Sequence, residues 1–171
     1  AGPVTLGLCI HDEYGKPILA SREGMEVVRE YLILHAKWQT MKLAGLEKPR
    51  VFFFDEPALG SAFRPEDYGL SWKELVSWYD PLMQSLQEEG VVVGLHSCAP
   101  GPWDWVFETP AELFHFDSFR YAASLSENPG ALRDYLHQGG SLVWGLIPTM
   151  RPPAGGFPHP VDLLQGWTEI A

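Results

Sequence analysis

Two side chains that bind zinc well, His96 and Cys98, stand two positions apart directly after an apolar run. Zinc prefers imidazole nitrogen and thiolate sulfur and takes four ligands in tetrahedral geometry. In an extended chain residues i and i+2 point to the same side, so both side chains can reach one ion. The same pair also fits a buried thiol beside a hydrogen-bonded histidine, so a zinc site requires at least a third protein ligand.

We expect that third ligand at the end of a neighbouring strand, about 4.8 Å away. Asp117 is the best candidate, although an aspartate after a strand is also a frequent helix N-cap. Cys9 is a rival with the softer ligand atom, but it lies near the end of a run two strands away. His115 alternates with Asp117 and can share a face with it, although packing in the core is the simpler expectation.

Two adjacent carboxylates, Asp55 and Glu56, follow a four-residue apolar run. Burying a carboxylate without a partner costs several kcal/mol, so at least one should meet a cation, a hydrogen-bond donor or a substrate ammonium group. The alternative is that one caps a turn and the other is solvated. His11, after another apolar run, is a further candidate for substrate binding or acid–base work.

Five apolar runs predict the strands that would position these residues: Val4–Ile10, Val51–Phe54, Val91–Leu95, Leu113–Phe116 and Ser141–Ile147. Most are continuous rather than alternating, which is typical of parallel strands buried on both faces. Amphipathic stretches between and after them predict helices over Arg22 to about Ala44, Ser71 to about Glu89, Pro129–His137 and Val161–Trp167. Strand and helix in alternation predict an α/β fold built from parallel (β/α) units.

The carboxyl ends of parallel strands meet on one side of a sheet, where ligands bind in such folds. Histidine and cysteine follow the predicted strands, whereas the segments that lead into them are polar but contain neither residue type. This difference in residue type favours a functional site over ordinary loop polarity.

Composition narrows the classes of partner. The chain has 171 residues, with 12 basic and 22 acidic side chains and a net charge of −10. An acidic balance disfavours nucleic acid and anionic membranes as main partners. No apolar run approaches the roughly 18 residues needed to span a bilayer, and no signal peptide is visible. Two cysteines exclude a disulfide scaffold and fit a reducing compartment, so a cytoplasmic location is expected.

Four motifs, in this order, resemble the catalytic barrel of cobalamin-independent methionine synthase and its shorter relatives. They are Gly2-Pro3-Val4-Thr5, Asp55-Glu56-Pro57-Ala58-Leu59, His96-Ser97-Cys98 and Phe116-Asp117-Ser118. The family belongs to a superfamily of (β/α)8 barrels that includes uroporphyrinogen decarboxylase and zinc-dependent corrinoid methyltransferases.

The resemblance implies zinc-activated methylation of a thiol similar to homocysteine, with a folate or methyl-corrinoid as donor. Zinc would be held by His96, Cys98 and Asp117, and Asp55 would bind the amino group of the thiol substrate. Two departures stand out. The acidic ligand in the family is usually glutamate, and no cysteine follows Cys98 to match the family's last ligand.

A (β/α)8 barrel typically needs about 250 residues. Five strands in 171 residues therefore predict a partial TIM-type barrel, with residues 1–171 as one domain from the C-terminal part of a methionine synthase-like barrel. Its exposed sheet edges would favour self-association. The alternative is a zinc-free barrel of the same superfamily, acting as a small-molecule binding protein through the carboxylates and Arg151, or an inactive fragment.

For two further features the sequence allows two roles each. Trp103 and Trp105 are expected to cover the core or to stack against a planar ring of a ligand. The long loop that contains Phe63-Arg64-Pro65 is expected to be either a lid or a solvated crossover.

Overall fold

The computed structural model describes residues 1–149 and 156–170. Within these residues four strands form one sheet: β1 (Arg50–Asp55), β2 (Val91–Ser97), β3 (Leu113–Phe116) and β4 (Ser141–Trp144). Their order in the sheet is the order in the chain, and every neighbouring pair is parallel. The predicted α/β class with parallel strands is confirmed, but the described sheet has four strands rather than five.

Helices precede, connect and follow these strands. They are α1 (Pro3–Cys9), α2 (Arg22–Leu43), α3 (Trp72–Ser77), α4 (Tyr79–Gln87), α5 (Asp104–Phe107), α6 (Ser118–Tyr121), α7 (Pro129–His137) and α8 (Pro160–Ile170). The predicted bounds of α2 and α7 are confirmed to within a residue, and α8 is longer than predicted. In the described ranges no helix has the length and apolarity to cross a bilayer.

The strand predicted over Val4–Ile10 is wrong, because this segment forms α1. A short apolar run suits a buried helix as well as a buried strand. Pro3 occupies the first helical turn, where its fixed φ suits a helix and its missing N–H is not needed. The free N–H groups of Val4 and Thr5 are bound by the carboxylate of Glu56, which is remote in sequence.

The single helix predicted from Ser71 to Glu89 is divided into α3 and α4. Ser71 and Glu74 form a capping box at its start, as the S-x-x-E pattern of the sequence predicts. Pro81 explains the division, because a proline has no N–H to donate to the carbonyl four residues earlier, and its ring clashes with that carbonyl. That carbonyl belongs to Ser77, the last residue of α3.

The core lies on the face of the sheet that the helices cover. Alternate strand residues point into it and are at most 1% exposed, among them Phe54, Val93, Leu95, Phe114 and Phe116. Helix α4 adds Leu82, Met83 and Leu86, which are fully buried. Each such side chain contributes about 1.5–3 kcal/mol through burial.

The opposite face of the sheet is open in the described part of the chain. Val51 is 47% exposed and Phe53 is 36% exposed, and Val92, His96 and His115 on the same face are half-buried. The prediction of strands buried on both faces is therefore met on one face only. The apolar side chains of the open face explain why the strands appear as continuous apolar runs in the sequence.

Candidate functional site

Asp55, His96 and His115 form one row across the carboxyl ends of three neighbouring strands. Asp55 of β1 is in register with His96 of β2, which is in register with His115 of β3. Nε2 of His96 lies 3.6 Å from Oδ1 of Asp55, and the two histidine ring centroids are 4.5 Å apart. The Asp55 side chain is 49% exposed and that of His96 is 25% exposed, so a ligand can reach both.

The row contains polar atoms that are not paired. Nδ1 of His96 and Oδ1 of Asp55 are buried and have no hydrogen-bond partner among the described residues. Burial lowers the pKa of His115, and the nearby His96 lowers it further while Asp55 opposes the shift. His115 therefore favours its neutral form, which leaves one ring nitrogen as an acceptor. Buried polar atoms without partners are uncommon in proteins, so the hydrogen bonding of the row is incomplete within the described residues.

An aromatic side chain forms the apolar floor beside the histidines. The ring of Phe53 lies over Gly94 and meets His115 edge to face, with centroids 5.9 Å apart and an interplanar angle of 65°. A Cβ atom at Gly94 would overlap the Phe53 ring and lie 3.0 Å from Cβ of Leu113. Glycine at this position therefore allows Phe53 to cross β2 and to contact His115.

Cys98 and Asp117 stand beyond the strand ends but in different situations. Cys98 is an exposed free thiol just after β2. Asp117 is the N-cap of α6: its Oδ1 accepts the N–H of Arg120 at 3.1 Å, and its Oδ2 lies 3.8 Å from Nε of Arg120. Asp117 thus has the capping role that the sequence left open as the alternative.

The predicted zinc ligands fit the ion only in part. The His96 side chain is partly exposed and Cys98 is an exposed thiol, whereas Asp117 is engaged by Arg120. In residues 1–149 and 156–170 no group of three or more His, Cys, Asp or Glu side chains is placed to hold a metal ion. The described residues therefore supply two candidate ligands and not a complete set.

Glu56 points into the interior, away from the open face that carries Asp55. It is fully buried, and its oxygens accept four hydrogen bonds. Oε1 accepts from Val4 N–H at 3.0 Å and Tyr79 O–H at 2.6 Å, and Oε2 accepts from the N–H and O–H of Thr5 at 2.8 and 2.6 Å. The protein's own donors thus occupy the carboxylate that the sequence offered for substrate binding.

Burial raises the pKa of the Glu56 carboxyl, while the hydrogen bonds from Thr5, Tyr79 and Val4 oppose that shift. Burial also raises the pKa of Tyr79 well above its ordinary value, and the neighbouring Glu56 adds to the shift. Tyr79 therefore remains a hydrogen-bond donor to Glu56 rather than an acid that ionises.

Two of the four motifs meet at this carboxylate. The N–H of Gly2 donates to the carbonyl of Asp55 at 2.6 Å, and a Cβ atom at Gly2 would overlap the Glu56 side chain. Glycine, proline and the two following N–H groups thus form a cradle for Glu56. The Gly2-Pro3-Val4-Thr5 motif has a structural explanation that requires no ligand.

His11 and Cys9 lie at the end of α1 rather than at the end of a strand. Both are exposed, and Nδ1 of His11 lies 3.1 Å from the carbonyl oxygen of Cys9. Among the described contacts neither side chain bonds to Asp55, His96 or His115. Arg151, the cation of the alternative prediction, lies outside the described residues.

The sequence alone did not identify His115 and Phe53 as parts of this site. The available signal was register: His115 alternates along β3 as His96 does along β2, so their side chains share the open face. Trp103 is 1% exposed and packs against Phe114 and Phe116, with centroids 5.2 and 5.0 Å away. It covers the core, as one of its two alternatives predicted.

Comparison with protein-family models gives no match for this chain, and a search of curated proteins gives none either. The resemblance to cobalamin-independent methionine synthase therefore rests on the four motifs, and it stays a prediction.

Proposed function

We propose that this protein binds a small amino-bearing thiol, similar to homocysteine, and activates it for methyl transfer from a folate or methyl-corrinoid donor. The observation that carries the proposal is the row of Asp55, His96 and His115, with the thiol of Cys98 two positions beyond His96. A half-exposed carboxylate beside a partly exposed imidazole suits a ligand with an ammonium group and a second, softer donor.

Each side chain of the row has a task in this proposal. The half-exposed carboxylate of Asp55 accepts hydrogen bonds from the substrate ammonium group, a charge-assisted interaction. His96 and Cys98 contribute two ligands to zinc, which when bound would lower the pKa of the substrate thiol. His115 is held neutral by burial, so a cation beside His96 meets no second positive charge from that ring.

The described sheet also supports the finer fold assignment, a part of a (β/α)8 barrel. All strands are parallel and follow one another in order, the core lies on one face, and the row stands at the carboxyl ends. In such a barrel the open face, with Val51 and Phe53, would be the interior.

A second candidate function is a zinc-free small-molecule binding site on the same scaffold. It is favoured by the engagement of Asp117 with Arg120, which leaves two predicted zinc ligands in the described part of the chain. In this case Asp55 and His96 would bind the ligand directly, and Cys98 would have no part in it.

Zinc titration by calorimetry separates the two candidates. The wild type should bind one zinc ion, and His96→Ala and Cys98→Ser should each lose at least tenfold in affinity, about 1.4 kcal/mol. Matched controls are His137→Ala and Cys9→Ser, because both side chains are exposed and lie outside the row. Absence of zinc binding, or equal affinity in all variants, would favour the zinc-free candidate.

A further inference from the structure

A cavity of about 460 Å³ lies beside the sheet, and it shares no residue with the Asp55–His96–His115 row. Its walls come from the loop after β1, the segment after β2 and the first residue of α3. Pockets for small ligands have volumes of about 300–1,000 Å³, so the cavity has room for a small organic molecule.

Three aromatic rings line one side of the cavity: Phe63, Trp72 and Trp105. Trp72 stacks on Trp105 with centroids 6.5 Å apart and an interplanar angle of 17°, and it meets Phe63 edge to face at 5.8 Å. Phe63 is 8% exposed and Trp105 4% exposed, so the protein holds both rings in place. The aromatic wall is therefore formed before any ligand binds.

Most of the charged side chains that line the cavity are acidic. Glu66, Asp104 and Glu108 line the cavity, and in the described ranges none of the three is in an ion pair. Among the described lining residues the only cation is Arg64, whose Nη1 donates to the carbonyls of Ser61 and Phe63 at 2.7 and 2.8 Å. Three carboxylates against one guanidinium leave a net charge of −2 on the walls, and that guanidinium is bound to its own loop.

We propose that this cavity binds an organic cation, an amine whose ammonium group is attached to an apolar body. Trp72 is the least buried of the three rings, so its π-system can attract a cation through the ring quadrupole, and the carboxylates add Coulomb attraction. An anionic ligand would be repelled by the same walls. A bare metal ion would leave the aromatic side unused. The proposal uses other residues than the zinc site and stands independently of it.

The test compares three probes of similar size: phenethylamine, the neutral 2-phenylethanol and the anionic phenylacetate. Binding is followed by calorimetry and by tryptophan fluorescence on the full chain. We expect phenethylamine to bind with a dissociation constant of about 1 mM or lower, and the other two at least tenfold more weakly. Raising the salt from about 0.05 M to about 0.5 M should weaken phenethylamine binding, because part of the attraction is electrostatic.

Variants locate the site. Trp72→Leu should weaken phenethylamine binding about tenfold, whereas Trp38→Leu on the exposed side of α2 should leave it unchanged. Asp104→Asn and Glu108→Gln alter charge at the rim with little change of volume, so they test the site even if Trp72→Leu does not fold. Equal binding of all three probes, no binding of phenethylamine, or unchanged affinity in both charge variants would overturn the proposal.

Discussion

Asp55 and Glu56 are adjacent in the chain, but their carboxylates face opposite sides of it. Asp55 ends β1 on the open face beside His96, whereas Glu56 enters the interior and holds the start of α1. Two neighbouring residues of one motif thus differ: Asp55 stays accessible on the open face, and Glu56 stabilises the fold. Sequence alone placed both at the end of a strand, but it could not tell which one turned inward, because that depends on donors from Thr5 and Tyr79.

Replacing Glu56 with glutamine should destabilise the fold by about 2 kcal/mol or more. An amide has one acceptor oxygen, so donors among Val4, Thr5 and Tyr79 would be left unpaired in the interior. Chemical denaturation measures the loss, and Glu13→Gln is the matched control because Glu13 is exposed. A loss no larger than that of the control would contradict the role assigned to Glu56.

The stability lost in Glu56→Gln should decrease as the pH rises. Burial raises the folded-state pKa of Glu56 above its ordinary value of 4.5, so ionisation lowers the stability of the wild type as pH rises from that value towards the raised pKa. Glutamine does not ionise. The difference in stability between wild type and Glu56→Gln should therefore be larger at about pH 4 than at about pH 7. A difference that grows with pH would contradict a raised pKa for Glu56.

Gly2→Ala should also destabilise the protein, by about 1–3 kcal/mol, because the added Cβ would lie 2.8 Å from Cγ of Glu56 and closer still to the carboxylate. Gly166→Ala is the control. Gly166 lies in α8, and no atom of the described residues comes within 4 Å of an added Cβ, so alanine there should stabilise the helix slightly. Thermal unfolding compares the two, and equal effects would argue against the Gly2 cradle.

Helices and strands can be predicted from this sequence where the local residue pattern determines them. Helices α2 and α7 and the capping box of α3 follow from periodicity and capping residues, and strands β1 to β4 follow from apolar runs. The sequence does not distinguish helix α1 from a strand, because a run of seven mostly apolar residues fits either element, and the deciding partner, Glu56, is about fifty positions away. The division between α3 and α4 is encoded locally, because a proline within a helical pattern interrupts the helix.

Asp117 can be either the N-cap of α6 or a zinc ligand, and replacing it with alanine separates the two roles. If Asp117 caps α6, Asp117→Ala should lower the free energy of unfolding by about 1 kcal/mol. Asn128→Ala, which removes the N-cap of α7, should have a similar effect. Zinc affinity should be the same in both variants, and a selective loss in Asp117→Ala would instead make Asp117 a ligand.

At the scale of the whole molecule, the described sheet has an open face and β1 is paired on one side only. The outer side of α2 is apolar as well, with Val27, Leu34 and Met41 each more than 60% exposed. Helical spacing in the sequence predicts that Tyr31, Trp38 and Met41 share a face with Met25, Val28 and Leu32. The first three side chains are exposed, however, and the last three are buried. Periodicity alone could not separate two apolar stripes on one helix.

These open surfaces predict that the 171-residue chain self-associates as its concentration rises. Val51→Lys places a charge on the open face of β1 and should shift the equilibrium towards the monomer. Val161→Lys changes an even more exposed valine, on α8, and should leave the equilibrium unchanged. Sedimentation velocity measures the distribution, and a wild type that is monomeric at all concentrations would contradict the prediction.

The central claim, a zinc-bound thiol beside Asp55 and His96, is tested most directly by X-ray absorption at the zinc edge. With zinc alone we expect one sulfur ligand at about 2.3 Å, from Cys98. Addition of L-homocysteine should raise the count to two, and Cys98→Ser should lower each count by one. A sulfur count that does not change with homocysteine, or that is the same in Cys98→Ser, would contradict the account.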